Sequence, residues 1–444
     1  MQRLTPIHAG SPQGLVPGWV ERWGPRAFRV GIGLLLVTTV VWPLAYSHEV
    51  DLSIYRMGGE AIEHHAPLYA MGLTGRPNEL LFNYPPFAAA VLAPLNLLPL
   101  TLLRLLAPVA NFLLLVFVVR RCWQSLGVPN GKGLSSLTML ASGALLWLEP
   151  VRTTIALGQI GLALLAIVVV DLLPLSGPGR WQGVGVGIAA GIKLTPLFFI
   201  PFLIVTRRFR AAAVATATFL VTVLIGFLLG PVQAYTYWFR GIFDDPNRIA
   251  PVNSSGNESL RGALARVALP ASAEMWAWVV GVVLLSIICL AVAARAHAEE
   301  GGEVLAVSLC GLGSAAISPY SWGYHWVWFV PIAVFLAERA IIRHSRAAAS
   351  LVAGLWTATA AWMTGWRPPL SGMTPPSGLI SLHPGGALEA ITRNTYLIEL
   401  GVALGITIVA IRNRTSPDGS DSDGGSPPGS RSVEGATRPF RPAP

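Results

Sequence analysis

The first cluster of ionisable residues in this chain lies in a hydrophilic stretch, residues 47–86, between two long apolar runs. Asp51 stands near the start of this stretch, a few residues after the first apolar run, and a tyrosine- and glycine-rich segment follows it. A carboxylate in such a place can act as a general base that removes a proton from a reacting hydroxyl group. The stretch therefore indicates a reaction site rather than a plain connection.

The composition defines the surroundings in which that site must be built. Hydrophobic residues make up 53% of the 444 residues and charged residues only 12%. Several apolar runs reach the roughly 20 residues that a helix needs to cross a bilayer. The sequence therefore predicts an all-α polytopic membrane protein surrounded by membrane lipids. The net charge of +9 does not indicate a nucleic-acid partner, because the arginines lie at the ends of apolar runs, as in cytoplasmic loops.

The basic clusters predict a topology in which each of them faces the cytoplasm. Residues 1–27 form a cytoplasmic N-terminal segment, and residues 28–411 form the membrane domain with about twelve passes. Residues 412–444, rich in Gly, Ser, Pro and Asp, form a disordered cytoplasmic tail. Both termini then lie inside, and residues 47–86 lie on the extracytoplasmic side of the plasma membrane.

The apolar block at residues 183–206 does not fit a single crossing. One crossing would place the three arginines that follow it outside, against the positive-inside rule. Lys193 and Pro196 stand in its middle, and both are unfavourable at the centre of a spanning helix. We therefore predict two half-length helices that meet at Lys193–Pro196, with the tip reaching toward the outer face. Non-helical backbone at this depth must border protein or a wet cavity.

The polar residues that packing does not readily explain all fall on the outer side in this topology. Ionisable groups near the membrane plane are costly and often mark a substrate path. One carboxylate among several cations suits a reaction in which Asp51 activates an acceptor hydroxyl while cations hold a phosphate. A lipid-linked phosphosugar fits this placement. The cations predicted to bind its phosphate are Lys193, Arg56, Arg152 and Arg261. The residues predicted to contact the acceptor or shape the site are His325, Tyr84, Glu149, Gln159, Asn257 and Glu258.

Several of these residues have an equally plain structural interpretation. Lys193 could extend its ammonium group to the interface, and Glu149 could pair with Arg152 one helical turn away. Tyr84 precedes two prolines, a combination typical of a rigid turn. For His325 a structural hydrogen bond, an acceptor contact and a proton relay all remain open.

No metal site is predicted. The three cysteines, Cys122, Cys289 and Cys310, are scattered through apolar segments, which argues against both a disulfide framework and a metal cluster. His64 and His65 are adjacent, but no third ligand stands at a suitable spacing.

Six motifs in this order resemble one family, and they extend over roughly residues 30 to 410. They are DLSIYRMGG (51–59), NYPPFAAAVLAPLNLLP (83–99), EPVRTT with GQIGLALL (149–165), AAGIKLTP (189–196), NESLRG (257–262) and SPYSWGYHWVWFVP (318–331). The family is that of the actinobacterial polyprenol-phosphate-mannose-dependent α-1,2-mannosyltransferases. Its members extend phosphatidylinositol mannosides or decorate lipomannan and lipoarabinomannan.

The resemblance implies a GT-C glycosyltransferase fold with its reaction on the outer membrane face. It implies an inverting, metal-independent displacement without a cofactor, in which Asp51 is the base and polyprenyl-phosphate-mannose is the donor. The chain departs from the family pattern at Tyr324, where relatives carry a histidine, at Glu258, and at Gly161, often an asparagine. These departures leave the acceptor and the exact linkage open.

Two other functions remain compatible with the sequence. The sugar could instead be arabinose or glucose on the same lipid carrier. A transporter of lipid-linked sugars would also use broken helices, but it predicts corresponding breaks in two halves of the chain. The sequence shows one break, at Lys193–Pro196, which favours the enzyme.

Overall fold

The computed structural model describes residues 16–36, 50–70, 81–243, 250–254, 256–267, 270–360 and 385–415, with single residues 72, 245, 248 and 379. In this part of the chain the protein is all-helical, apart from one isolated bridge between Leu148 and Ala360. The all-α class is therefore confirmed. In chain order the helices are α1 (Gly18–Leu36), α2 (Val50–Glu63), α3 (Pro86–Leu92), α4 (Leu100–Ser125), α5 (Lys132–Leu145), α6 (Glu149–Leu157), α7 (Gly161–Leu172), α8 (Val184–Ile192), α9 (Phe199–Val205), α10 (Phe209–Leu229), α11 (Pro231–Phe239), α12 (Leu260–Ala265), α13 (Ala271–His297), α14 (Glu303–Ile317), α15 (Phe329–Ile341), α16 (Arg346–Thr359), α17 (Gly386–Thr392) and α18 (Thr395–Thr415).

Four of the described helices, α4, α10, α13 and α18, are both long enough and apolar enough to cross a membrane. Helices α6 and α7 make a fifth candidate span if the bent pair counts as one. Along α10 and α13, large apolar side chains such as Leu224, Leu284 and Ile287 are exposed. Exposed apolar surface of this extent is expected where a helix faces lipid. The chain is thus a polytopic membrane protein.

The first helix begins at Gly18, earlier than the predicted start of the first span at Phe28, and residues 37–49 lie outside the described part. Helix α1 packs closely and in parallel on α5, with Gly24 against Ser136 and Gly31 against Gly143. Small residues allow such close approach between membrane helices.

The hydrophilic stretch around Asp51 is not only a loop, because residues 50–63 form α2. This helix packs against α3 and against the 3-10 turn Ala93–Leu97. Residues 73–80 of the same stretch lie outside the described part. Helix α2 gives Asp51 a fixed position in its first turn.

The segment that follows Leu148 is also helical, and it forms α6. Pro150 lies in its first turn, where its missing N–H group is harmless. Gly158 ends the helix in the left-handed conformation, with φ 67°. The axis then changes direction by 117° into α7. Glu149 is the first residue of α6, and Gln159 follows its last turn.

The predicted break at Lys193 is confirmed. Helix α8 ends at Ile192, Lys193 is extended (φ −146°, ψ 134°), and a 3-10 turn, Thr195–Phe198, leads into α9. Pro196 occupies the first turn of that 3-10 segment, where it needs no hydrogen bond.

The chain returns after this break to the level at which it entered. A Cβ atom on Gly183, before α8, would lie 2.1 Å from the carbonyl oxygen of Ala211, in the first turn of α10. Helices α8 and α10 then run side by side, since Gly187 faces Thr218 and Gly191 faces Thr222. The chain therefore runs in one direction along α8 and in the opposite direction along α9 before α10 begins, as expected of a re-entrant pair.

The α1–α5 contact generates a stability prediction. A methyl group on Gly143 would lie 2.5 Å from the carbonyl oxygen of Ala27, so Gly143→Ala must push the helices apart. We expect the free energy of unfolding to fall by about 1–3 kcal/mol, as for overpacked cores. The measurement is the thermal unfolding midpoint of the purified protein in detergent.

Gly401→Ala is the matched control, because no described atom lies within 4 Å of a Cβ atom at that helical position. Equal midpoints for the two variants would contradict the close packing of α1 on α5.

Candidate active site

Asp51 is half-buried in the first turn of α2. Leu52, Ile54 and Tyr55 of the same helix are buried, so α2 is held firmly by its apolar contacts. Tyr55 follows Asp51 by four residues and therefore lies on the same helix face. Helix α2 thus presents a carboxylate and a phenol to the same interior space.

Lys193 reaches this space from the break between α8 and the 3-10 turn. Its Nζ atom lies 5.5 Å from the ring centre of Tyr84 and 5.5 Å from that of Tyr324. At these distances an ammonium group is attracted by the face of an aromatic ring. The structure therefore holds the lysine between two tyrosines, with its charge close enough to act on Asp51.

A short network of hydrogen bonds joins the same residues. The hydroxyl group of Tyr55 donates to Oε1 of Gln159 at 2.6 Å, and the hydroxyls of Tyr55 and Tyr84 are 3.2 Å apart. Because the single proton of Tyr55 is used toward Gln159, Tyr84 is the donor in the second bond. Burial raises the pKa of both tyrosines, so both keep their protons at neutral pH.

The pKa of Asp51 is raised to about 6. Burial is the main cause, because a carboxylate loses its hydration in a protein interior. The Gln159 amide and the positive charge of Lys193 act in the opposite direction. Asp51 is therefore ionised at neutral pH but is a stronger base than an exposed aspartate, which suits proton abstraction.

His325 lies on the other side of Lys193, in the 3-10 turn Gly323–Trp326. Its ring packs edge-on against Tyr324, with 4.7 Å between ring centroids. A cavity of about 20 Å³ lies among Lys193, His325 and Gly161, a volume that accommodates one water molecule. Burial and the Lys193 charge hold the pKa of His325 well below its usual value, so its imidazole is neutral.

Asn257 connects two loop segments. Its Nδ2 donates to the carbonyl oxygen of Val252 at 3.0 Å, and its Oδ1 accepts from the backbone N–H groups of Ser259 and Ser321, at 3.2 and 3.1 Å. Asn257 is fully buried. Its role in the described contacts is therefore to fix the segment before α12 against the segment that leads to Tyr324.

Glu149 supports the 3-10 turn Gly323–Trp326, which carries Tyr324 and His325. Its carboxylate accepts from Thr153 Oγ1 at 2.5 Å and from the hydroxyl group of Tyr396 on α18. Gly323 packs directly on this carboxylate, because a Cβ atom there would lie 2.4 Å from it. Glu149 thus joins α6, α18 and the His325 turn.

Glu258 is buried near Glu149, and its backbone N–H group donates to the carbonyl oxygen of Ser321 at 2.7 Å. Burial, reinforced by the nearby Glu149, raises the pKa of Glu258 well above its usual value. Neither carboxyl oxygen has a hydrogen-bond partner among the described residues. Glu258 is therefore held next to Glu149 and away from the Asp51 network.

The three predicted arginines pack at other points. Arg56 donates from Nε to Asn96 at 3.3 Å. Arg152 lies over the ring of Trp147 and Arg261 over that of Trp278, each at 4.6 Å. Of the predicted cations, Lys193 is the one that the structure brings to Asp51. Groups of three or more His, Cys, Asp or Glu side chains able to hold a metal ion are absent from the described part.

A larger cavity, about 520 Å³, lies between α14, α15, α16 and α18. Its lining is mostly apolar and includes none of the predicted site residues. The predicted site residues Asp51 and Lys193 therefore lie apart from the lining of this larger cavity.

Tyr55 and Tyr324 are site residues that the sequence interpretation missed. Tyr55 follows Asp51 at helical spacing, a signal that becomes informative only once residues 50–63 are known to be helical. The contact of Tyr324 with Lys193 joins segments far apart in the chain, so the sequence alone gives no signal for it.

The fold and the site define a polytopic membrane protein with a carboxylate of raised pKa that is influenced by the charge of a half-buried lysine. The chain belongs to glycosyltransferase family 87, whose sequence profile matches residues 82–319. The matched range includes Tyr84, Gln159 and Lys193. No solved structure matches the chain.

The curated relatives are mycobacterial. The polyprenol-phosphate-mannose-dependent alpha-(1-2)-phosphatidylinositol pentamannoside mannosyltransferase of Mycobacterium tuberculosis is 34% identical over 317 residues, 69% of this chain and 72% of the relative. The polyprenol-phosphate-mannose-dependent alpha-(1-2)-phosphatidylinositol mannoside mannosyltransferase of Mycolicibacterium smegmatis is 31% identical over 376 residues, 78% of this chain and 84% of the relative. Both relatives are thus mannosyltransferases that depend on polyprenol-phosphate-mannose.

The Asn257 contacts generate a second stability prediction. Asn257→Ala leaves two buried backbone N–H groups without their acceptor, at a cost of at least about 2 kcal/mol. We expect a lower unfolding midpoint in detergent. Asn253→Ala, at an exposed position four residues earlier, should leave the midpoint unchanged. If both variants unfold alike, Asn257 does not connect the two segments.

Proposed function

We propose that this protein is an α-1,2-mannosyltransferase that transfers mannose from polyprenyl-phosphate-mannose to a mannosylated lipid or lipoglycan. The acceptor class is phosphatidylinositol mannoside, lipomannan or lipoarabinomannan. The observation that carries the proposal is the convergence of Asp51 and Lys193 in one enclosed space of a family 87 chain. The functions for which the mycobacterial relatives are named support the choice of donor and acceptor.

In this reaction Asp51 accepts the proton of an acceptor mannose hydroxyl group. The hydroxyl oxygen attacks the anomeric carbon of the donor, and the bond between that carbon and the phosphate oxygen breaks. Polyprenyl phosphate leaves with the electron pair, and a β-linked donor gives an α-linked product. The ammonium group of Lys193 stabilises the charge that grows on the departing phosphate.

The displacement is inverting and, in this proposal, uses neither a metal ion nor an organic cofactor. Lys193 supports it as a fixed cation that two aromatic rings hold in place. The neutral imidazole of His325 stands next to it and can hydrogen-bond to sugar or phosphate. Arg56, Arg152 and Arg261 remain further candidates for the phosphate when the donor is bound.

The proposed arrangement in the membrane is a GT-C fold with about twelve passes, counting the re-entrant pair at 183–206. Residues 1–27 and 412–444 lie in the cytoplasm, and residues 28–411 form the catalytic domain of a plasma-membrane protein. The return of the chain from Gly183 to Ala211 supports the re-entrant pair. The reaction site then lies on the extracytoplasmic side, where donor and glycolipid acceptor enter from the bilayer.

Replacing Asp51 tests the base directly. Asp51→Asn keeps the size of the side chain but cannot accept the proton, so transfer should fall by about 10²–10⁴-fold. The measurement is the product formed by the purified enzyme from a synthetic polyprenyl-phosphate-mannose and a phosphatidylinositol mannoside. Asp245→Asn, at an exposed carboxylate, is the matched control. Near-normal turnover by Asp51→Asn would refute the proposed base.

The pH profile tests the influence of Lys193 on Asp51. Because the base must be ionised, kcat/KM should fall as the pH drops through about 6, the pKa of Asp51. Lys193 lowers this pKa, so Lys193→Met should move the acid limb to higher pH as well as reduce kcat. Lys193→Arg keeps the charge and should keep the limb near its original pH. A limb at the same pH in Lys193→Met would show that the two residues do not interact.

A further inference from the structure

Tyr55 has a position that the proposed chemistry does not yet explain. It is almost completely buried, at 1% exposure, and so is Gln159. Its hydroxyl donates to Gln159 Oε1 at 2.6 Å, although the two residues are 104 positions apart in the chain. A bond this short between buried groups fixes the conformation of the amide.

The orientation of that amide matters because Asp51 lies beside it. Oε1 is bound to Tyr55, so Nε2 is the amide group of Gln159 that remains to donate to Asp51, whose ionised form the Gln159 side chain favours. Nε2 has no partner at ordinary hydrogen-bond distance among the described residues, and such contacts often shorten only when substrate binds. The opposite orientation would place the amide oxygen against a carboxylate, which electrostatic repulsion disfavours.

We propose that Tyr55 is a positioning residue for the base: its hydroxyl group fixes the Gln159 amide so that an N–H donor faces Asp51. The inference rests on the proposed role of Asp51. Tyr84 extends the network, since its hydroxyl donates to Tyr55. The position of the amide that offers a hydrogen bond to Asp51 is thereby set by Tyr55 of α2, by Tyr84 before α3 and by the end of α6.

The other groups that face Asp51 do not replace this donor. Lys193 acts on it through its charge, and Tyr55, Tyr84 and Tyr324 all face it as neutral phenols because burial raises their pKa values. Gln159 is the neutral side chain that lowers the pKa of Asp51. Loss of its orientation should therefore be visible as a higher pKa of the base.

The test is the pH dependence of kcat/KM for Tyr55→Phe, which removes one oxygen atom and keeps the ring. The acid limb should move to higher pH by about one unit, because the ionised form of Asp51 loses a hydrogen-bond donor. Gln159→Leu should give the same displacement. Tyr55→Phe in the Gln159→Leu background should add nothing further, since the hydroxyl acts through that amide.

Tyr69→Phe is the matched control. Its hydroxyl is also buried and donates to the carbonyl oxygen of Tyr84 at 2.8 Å, but it does not contact Gln159. Its acid limb should stay at the wild-type pH. An unmoved limb in Tyr55→Phe, or an additional displacement in the double variant, would overturn the positioning role.

The outcome is separable from the proposed function. If Asp51→Asn retains turnover, the base assignment and the positioning role both fail. If Asp51→Asn is inactive while Tyr55→Phe has the wild-type limb, the transferase proposal stands and Tyr55 serves packing alone.

Discussion

The attraction between Asp51 and Lys193 is the interaction on which the rest of the site depends. Neither charge is favourable in a protein interior by itself, because burial removes the hydration of each. Each compensates for part of the other's cost, and the remaining cost appears as a raised pKa of Asp51 and as a pKa of Lys193 that burial lowers to about 7. In the proposed reaction, the base strength of Asp51 and the cation offered to the phosphate by Lys193 would both follow from this one pair of residues.

Interruptions in the helices create that space. Gly158 ends α6, Lys193 lies between α8 and the 3-10 turn, and residues 323–326 form another 3-10 turn. The small cavity next to Lys193 is lined from all three regions. Irregular backbone inside a membrane protein is tolerated where it borders protein or a wet cavity. The breaks are therefore what allow polar side chains to meet at a point surrounded by apolar helices.

A second group of buried polar residues supports this geometry without taking part in the Asp51 network. Asn257 ties the α12 segment to residues 319–321 through two backbone contacts, with the carbonyl oxygen of Pro319 and the N–H group of Ser321. Glu149 binds Thr153 and Tyr396 and supports Gly323. Both groups hold the turn that carries Tyr324 and His325. Motifs that looked chemical in the sequence thus divide into residues that face Lys193 and residues that keep its surroundings rigid.

The sequence by itself determined the membrane class, the helix break at Lys193 and the family, because hydrophobicity, helix-breaking residues and motif order are local properties. It could not determine that α2 and α6 are helices, since both are short and stabilised by tertiary packing rather than by a long apolar pattern. It also could not select Lys193 among four cations or find Tyr55. Those results depend on contacts between residues about a hundred positions apart, which only the folded chain brings within hydrogen-bonding distance.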